Sequence, residues 1–271
     1  MVIDNKDITL LIWLVFIAVG LLAGVLSGLF GLGGGIVIVP CLLTVFNYNH
    51  VNPDFIMHLS IGTSLAVMIG TTANSVFHHS KKNTGYFEIY RQLFGGLMFG
   101  VICGATLGHY LHGHVLKIIF GVLVVVIGLN MLRPDADDKP ARSLPKWYIM
   151  QAMGVVIGCI CALLGVGGGF ITVPFLIRYG VSVHLAIMVS AMVALTIGVL
   201  GTAANIYLGW SFTTLPSGSI GYVVLPVCLV IIIGTLFSVP LGTKLAYRLP
   251  AKQLKKYFAV FLLFVGAHML F

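Results

Sequence analysis

Two glycine runs hold the residues best placed to do chemistry. Gly31, Gly33, Gly34 and Gly35 precede Pro40 in GLGGGIVIVP, and Gly165, Gly167, Gly168 and Gly169 precede Pro174 in GVGGGFITVP. Three consecutive glycines lower helix propensity by about 1 kcal/mol each relative to alanine, so a helix is expected to stop at each run. The helix that restarts there begins with unpaired N–H groups and a partial positive charge, which suits an anion. Glycine also removes the side chains that would hold a ligand away from the backbone. The backbones of Gly33, Gly34, Gly35, Gly167, Gly168 and Gly169 are therefore candidate anion ligands. The competing role for such glycines is close helix packing, for which membrane helices also use small residues.

Neutral side-chain donors accompany the glycines. Asn74 ends the pentapeptide GTTAN, which returns as GTAAN ending at Asn205, and both amides fall within apolar stretches. Ser60, Thr63 and Ser64 lie within one helical turn of one another, with Ser190 and Thr196 as the nearest equivalents in the second half. Thr63, Ser64, Asn74 and Asn205 are the candidate side-chain donors. Hydroxyls and amides in membrane helices also back-bond to their own helix or tie helices together.

Absent chemistry narrows the field. All seven acidic residues (Asp4, Asp7, Asp54, Glu88, Asp135, Asp137 and Asp138) lie at termini, connections or segment edges. An intramembrane carboxylate, the usual mark of a cation or proton path, is thus not expected. His58, His78, His79, His109 and His184 make protons the candidate coupling ion, although most of them sit near segment ends, where a solvated imidazole is common. The five cysteines fall in apolar segments, and Cys159-x-Cys161 lacks the two-residue gap of a redox or zinc motif. No nucleophile–base arrangement, metal site or cofactor motif appears, and no enzyme is expected.

These residues must be positioned by helices in a bilayer. The chain of 271 residues is 59% hydrophobic and 8% charged, against roughly 25% charged in soluble domains. Stretches such as Leu10–Leu29, Leu93–Leu111, Val115–Leu132 and Ile220–Val239 meet or approach the ~20 residues a spanning helix needs. The net charge of +8 gathers in short connections, where it sets orientation and does not signal nucleic acid. Lys6 followed by an apolar run resembles a signal peptide, but that run recurs in mid-chain and is expected to remain in the mature protein.

The recurrence is an internal repeat: Gly24–Pro40 reappears as Gly158–Pro174, 134 positions on. Residues 1–132 form a first transmembrane repeat, 133–146 a polar cytoplasmic linker, and 147–271 a second repeat. Predicted segments are 8–31, 34–46, 56–78, 89–111 and 115–132, then 147–165, 168–179, 184–208, 219–241 and 254–271. The short 34–46 and 168–179 either cross or re-enter. Connection 79–91 carries Lys81, Lys82 and Arg91 while its counterpart near 209–217 is uncharged; connection 112–117 holds only Lys117 while 243–256 holds five basic residues. The positive-inside bias is satisfied if each half has five segments and the halves are inverted, with both termini outside. The expected fold is all-α integral membrane, two inverted-topology repeats each with a Gly-rich broken helix.

The paired elements GLFGLGGGIVIVP and ALLGVGGGFITVP, with IGTSL at 61–65 and the Gly108 and Gly242 elements before Leu-Lys connections, resemble the sulfite exporter TauE/SafE family of membrane permeases over about residues 21–271. The resemblance implies transport of small sulfur-containing or organic anions, such as sulfite, sulfonates or sulfoacetate, usually in a bacterial inner membrane. The second half departs from the family pattern: MVSAMVALT lacks the Gly-Thr-Ser of the first. The expected partners are the lipid bilayer and a small anion; the sequence does not speak to oligomeric state. A passive anion channel built on the same helix ends, or a membrane scaffold whose glycines only pack, are the alternatives.

Overall fold

The computed structural model describes residues 6–31, 33–80, 85–132, 144–212, 215–246, 248 and 251–270. Most of the predicted linker, and Lys81 and Lys82, lie outside them. The described residues form ten helices: α1 (Lys6–Phe30), α2 (Gly35–Tyr48), α3 (Pro53–Ser80), α4 (Tyr86–Tyr110), α5 (Gly113–Leu132), α6 (Trp147–Leu164), α7 (Gly169–Arg178), α8 (Val183–Gly209), α9 (Leu225–Ala246) and α10 (Ala251–Leu270). Seven are long and apolar enough to cross a membrane: α1, α3, α4, α5, α6, α8 and α9. At 1.5 Å per residue, the 14 residues of α2 reach roughly 21 Å and the 10 of α7 roughly 15 Å, both short of a ~30 Å hydrocarbon core.

One predicted segment is corrected. Residues 219–224, read as the start of a span over 219–241, form a two-stranded antiparallel hairpin, β1 (Ser219–Ile220) and β2 (Val223–Val224), and α9 starts only at Leu225. Gly218 (φ +84°) and Gly221 (φ +54°) take backbone conformations that a helix does not contain, and Pro226 sits in the first turn of α9, where its missing N–H costs nothing. Gly218→Ala is expected to cost about 1–2 kcal/mol in left-handed strain, read as a modestly lower melting temperature in detergent.

Helix α3 is the interior element, with 83% of its most apolar stretch buried, followed by α8 at 61%; the other five long helices bury 28–44% and expose residues such as Leu14, Phe99, Val126, Leu229 and Phe237. Around this centre the helices pair in a pattern that maps onto itself when each is exchanged for the one five later. Helix α1 packs on α9 and α6 on α4; α9 packs on α3 and α4 on α8; α3 pairs with α8, and α5 with α10.

Small residues make the two tightest seams. On α1, Gly20, Gly24 and Gly28 face Ile231–Gly234, Thr235–Ser238 and Val239–Thr243 of α9; on α4, Gly96, Gly100 and Gly104 face Gln151, Val155 and Cys159 of α6. A Cβ at any of these glycines meets a neighbouring backbone or a serine hydroxyl. This is the small-xxx-small device by which membrane helices bring backbones together. The paired numbers rise together in both seams, so α1 runs parallel to α9 and α4 parallel to α6. Between α3 and α8 they fall: Gly198 abuts Leu65 and Ile69, while Gly209 and Gly62 both abut Tyr222. Those two helices are antiparallel. The five cysteines are free.

Candidate functional site

Both glycine runs break a helix, as their composition dictates. Gly31 (φ +66°), Gly33 (φ +71°) and Gly34 (φ +82°) separate α1 from α2, and Gly165 (φ +69°) caps α6 before Gly167 and Gly168 lead into α7. The ladder of α2 starts with Val37 and Ile38, whose N–H groups both donate to the Gly34 carbonyl (3.0 and 3.2 Å), so the N–H groups of Gly35 and Ile36 precede it. In α7, Ile171 and Thr172 donate to the Gly168 carbonyl (3.1 and 2.8 Å), and Gly169 and Phe170 precede the ladder.

The two breaks touch. A Cβ on Gly35 would strike the carbonyl oxygen of Gly165 and stand 2.9 Å from Val166 Cα and 3.1 Å from Ser64 Oγ. Each break is also tied by a serine from the other half: Ser64 Oγ on α3 donates to Gly165 O (2.8 Å), and Ser190 Oγ on α8 donates to Gly31 O (3.0 Å). The ring of His79 adds Nε2 to Gly28 O at 3.0 Å in the last turn of α1. Carbonyls at helix C-terminal ends would repel an anion. Here three of them are occupied by side chains, which leaves the N–H ends as the dominant local polarity.

This crossed arrangement exposes a register that the 134-residue offset conceals. His58-Leu59-x-Ile61-x-x-Ser64 matches His184-Leu185-x-Ile187-x-x-Ser190 at an offset of 126. Ile61 backbone abuts Gly165, and Ile187 backbone abuts Gly31. The second half does keep the serine of the IGTSL element, although Met188 and Val189 replace Gly62 and Thr63.

The other predicted donors have separate tasks. Thr63 Oγ1 accepts a hydrogen bond from the Val224 N–H (3.0 Å), which holds the hairpin against α3. Asn205 Nδ2 donates to Gly201 O in its own helix (2.8 Å), while the Asn205 main-chain carbonyl accepts from the Tyr222 N–H (3.2 Å). Asn74 Nδ2 donates to Leu236 O across the α3–α9 seam (3.1 Å). Asn74 lies six positions before the end of α3 and Asn205 four before the end of α8. Since those helices are antiparallel, the two amides sit toward opposite ends and do not converge. Of the predicted side chains, Ser64 is the one bonded directly to a break.

A residue not singled out from sequence stands at the start of α7. Thr172 is fully buried, its Oγ1 has no hydrogen-bond partner, and that oxygen lies 3.3 Å from the position a Cβ would take on Gly168. Other helical threonines, Thr44, Thr71, Thr72, Thr196 and Thr243, bond their hydroxyls back to the carbonyl four residues earlier. Neither Thr172 nor Thr202 in α8 does so, and Ser27 Oγ in α1 is also without a partner; Thr172 is distinguished by its place in the first turn of α7, where the Gly168 carbonyl already accepts two N–H groups. In the first repeat the corresponding residue, 134 positions earlier, is the apolar Ile38. Among the described residues no group of three or more His, Cys, Asp or Glu is arranged to hold a metal ion.

Comparison with known proteins agrees with this architecture. The family model described as Sulfite exporter TauE/SafE matches residues 16–269. A probable membrane transporter protein of Haemophilus influenzae is 35% identical over 258 residues, covering 94% of this chain and 97% of the relative. One from Methanocaldococcus jannaschii is 29% identical over the full length of both chains, and one from Bacillus subtilis is 23% identical over 96% of this chain and 97% of its own. No solved structure matches the chain.

Proposed function

Because the chain belongs to the sulfite exporter TauE/SafE family and is a multi-pass integral membrane transporter, we propose that it is a secondary carrier for sulfite, a sulfonate or a similarly small organic anion in a bacterial inner membrane. The substrate is held where the two helix breaks meet, by the N–H groups at the starts of α2 and α7, with the Thr172 hydroxyl as a direct donor. Gly33–Gly35 and Gly167–Gly169 supply the backbone, and Ser64 fixes the position of one break. The observation that carries this reading is the fully buried, unpartnered Thr172 hydroxyl beside the N-terminus of α7. A hydroxyl left unbonded in a dry interior costs about 1–3 kcal/mol, a cost that a bound oxyanion would offset.

The halves are read as inverted repeats on the strength of their helix directions. Helix α1 is parallel to α9 and α9 to α3, since Gly70 abuts Ile232 and Asn74 bonds Leu236. Helix α4 returns antiparallel to α3, bringing Gly108 to His58, and α6 follows α4. Helix α6 therefore opposes its counterpart α1. The basic connections then share one side, as the positive-inside bias requires.

The test is thermal stability of the purified protein in detergent against sulfite, sulfate, thiosulfate, sulfoacetate, taurine and acetate. Ligands that favour the folded state raise the melting temperature, by about 2.7 kcal/mol of stabilisation at a hundredfold excess over Kd. Selective stabilisation by a sulfur oxyanion is expected. No shift from any of the six, together with no uptake into proteoliposomes, would overturn the reading.

A further inference from the structure

A second polar cluster lies at the end of the molecule where α3 begins and α4 ends. A cavity of about 340 Å³ opens there, lined by Asp54, His58, His109, Tyr110, Leu111, His112 and Gly113. His58, 8% exposed, has both ring nitrogens against main-chain carbonyls: Nδ1 is 3.2 Å from Asp54 O in its own helix, and Nε2 is 3.1 Å from Gly108 O in the last turn of α4. A neutral imidazole has one N–H to donate, so one of these contacts would set a nitrogen lone pair against an oxygen lone pair. The imidazolium donates to both.

The ring of His58 also packs on Tyr222 at the tip of the hairpin, with centroids 5.2 Å apart, and the Tyr222 hydroxyl meets His109 Nδ1 at 3.2 Å. Burial pushes the Tyr222 hydroxyl up to about 12, so it stays a neutral partner throughout the physiological range. The titratable groups facing His58 are Asp54 on α3, His109 on α4, His112 in the α4–α5 turn and Tyr222 on the hairpin. The cluster is joined to the helix breaks through short steps. Tyr222 N–H and Val224 N–H are held by Asn205 and Thr63, and Ser64, beside Thr63, bonds Gly165.

We propose that His58 is a proton-binding site that couples this transporter to pH: its imidazolium clamps α3 to the end of α4 beside the cavity, and loss of the proton releases the clamp and widens the cavity. The coupling to transport rests on the carrier reading above; the clamp itself does not. His184, at the matching position of the second half, is exposed, so the two histidines are unequally placed and the clamp is confined to the end with His58.

The test places a thiol on the cavity wall with Leu111→Cys in the full chain. Its reaction with a membrane-impermeant methanethiosulfonate reagent is followed from about pH 5.5 to pH 8, through the histidine range. Rates are normalised to the unfolded protein and to the chain without the added thiol. Labelling is expected to be about fivefold slower at the acid end, the size of a modest coupling. In Leu111→Cys/His58→Gln, where a single donor nitrogen replaces the two opposed ones, it should be fast and independent of pH, while Leu111→Cys/His109→Gln keeps the pH dependence. A flat curve for Leu111→Cys alone, which needs no change at His58, would overturn the proposal. So would a pH dependence that survives His58→Gln or disappears with His109→Gln. Failure of every anion to stabilise the protein would instead count against the carrier reading and leave the labelling result standing.

Discussion

Gly35→Ala is expected to abolish transport and to lower the melting temperature sharply, from the addition of a single methyl group. Helical backbone at Gly35 tolerates alanine, so local propensity would favour the change by about 1 kcal/mol. Packing decides otherwise. The new Cβ would collide with the Gly165 carbonyl and stand 2.9 Å from Val166 Cα, both backbone atoms of the other break, which cannot rotate away. The two breaks must separate, and the Ser64–Gly165 hydrogen bond at 2.8 Å goes with them. Overpacking of this kind costs about 1–3 kcal/mol or more, and the lost bond adds about 1 kcal/mol. The measurement is a thermal melt in detergent alongside anion uptake into proteoliposomes. Uptake at the parent rate would show that the breaks need not touch for transport.

Thr172→Val should move stability and function in opposite directions. Valine matches threonine in shape and removes a hydroxyl that is fully buried without a partner. The ligand-free protein should therefore gain about 1–3 kcal/mol, while the stabilisation produced by the anion should shrink by a comparable amount. Thr172→Ser keeps the donor and should retain most of the anion response. A destabilised Thr172→Val protein with an unchanged anion response would mean that the hydroxyl serves packing alone. Most substitutions at fully buried positions destabilise, which makes an increase in melting temperature a discriminating result.

Much of this arrangement was legible in the residues. Apolar run length and the glycine–proline elements locate both broken helices to within a few residues, because a bilayer leaves the backbone no alternative to helix except where glycines interrupt it. The hairpin at 219–224 was not legible: Ile220-Gly-Tyr-Val-Val-Leu is as apolar as a span, and only the positive φ at Gly218 and Gly221 shows the turn. The crossed serines were hidden because the best-matching segments repeat at 134 while His-Leu-x-Ile-x-x-Ser repeats at 126. Thr172 was passed over because a threonine in an apolar helix ordinarily bonds its own backbone, and nothing local says that this one does not. The matching GTTAN and GTAAN pentapeptides suggested two equivalent amides. The Asn74 amide crosses to α9, whereas the Asn205 amide bonds its own helix and only its main-chain carbonyl meets the hairpin.

The two glycine seams join helices from different halves of the sequence, and that affects how the chain is made. Helix α1 ends at Phe30 and its partner α9 begins at Leu225, so most of the chain must be synthesised before Gly20, Gly24 and Gly28 meet the surface they fit. Helix α4 waits a much shorter interval for α6. During translation the amino-terminal helix must therefore rest in lipid, or against the insertion machinery, with its small-residue stripe uncovered. Closure of the α1–α9 seam is then among the last steps of assembly. A ribosome-stalled chain ending before residue 225 would contain the complete first repeat and still lack the neighbour that holds its first helix in place.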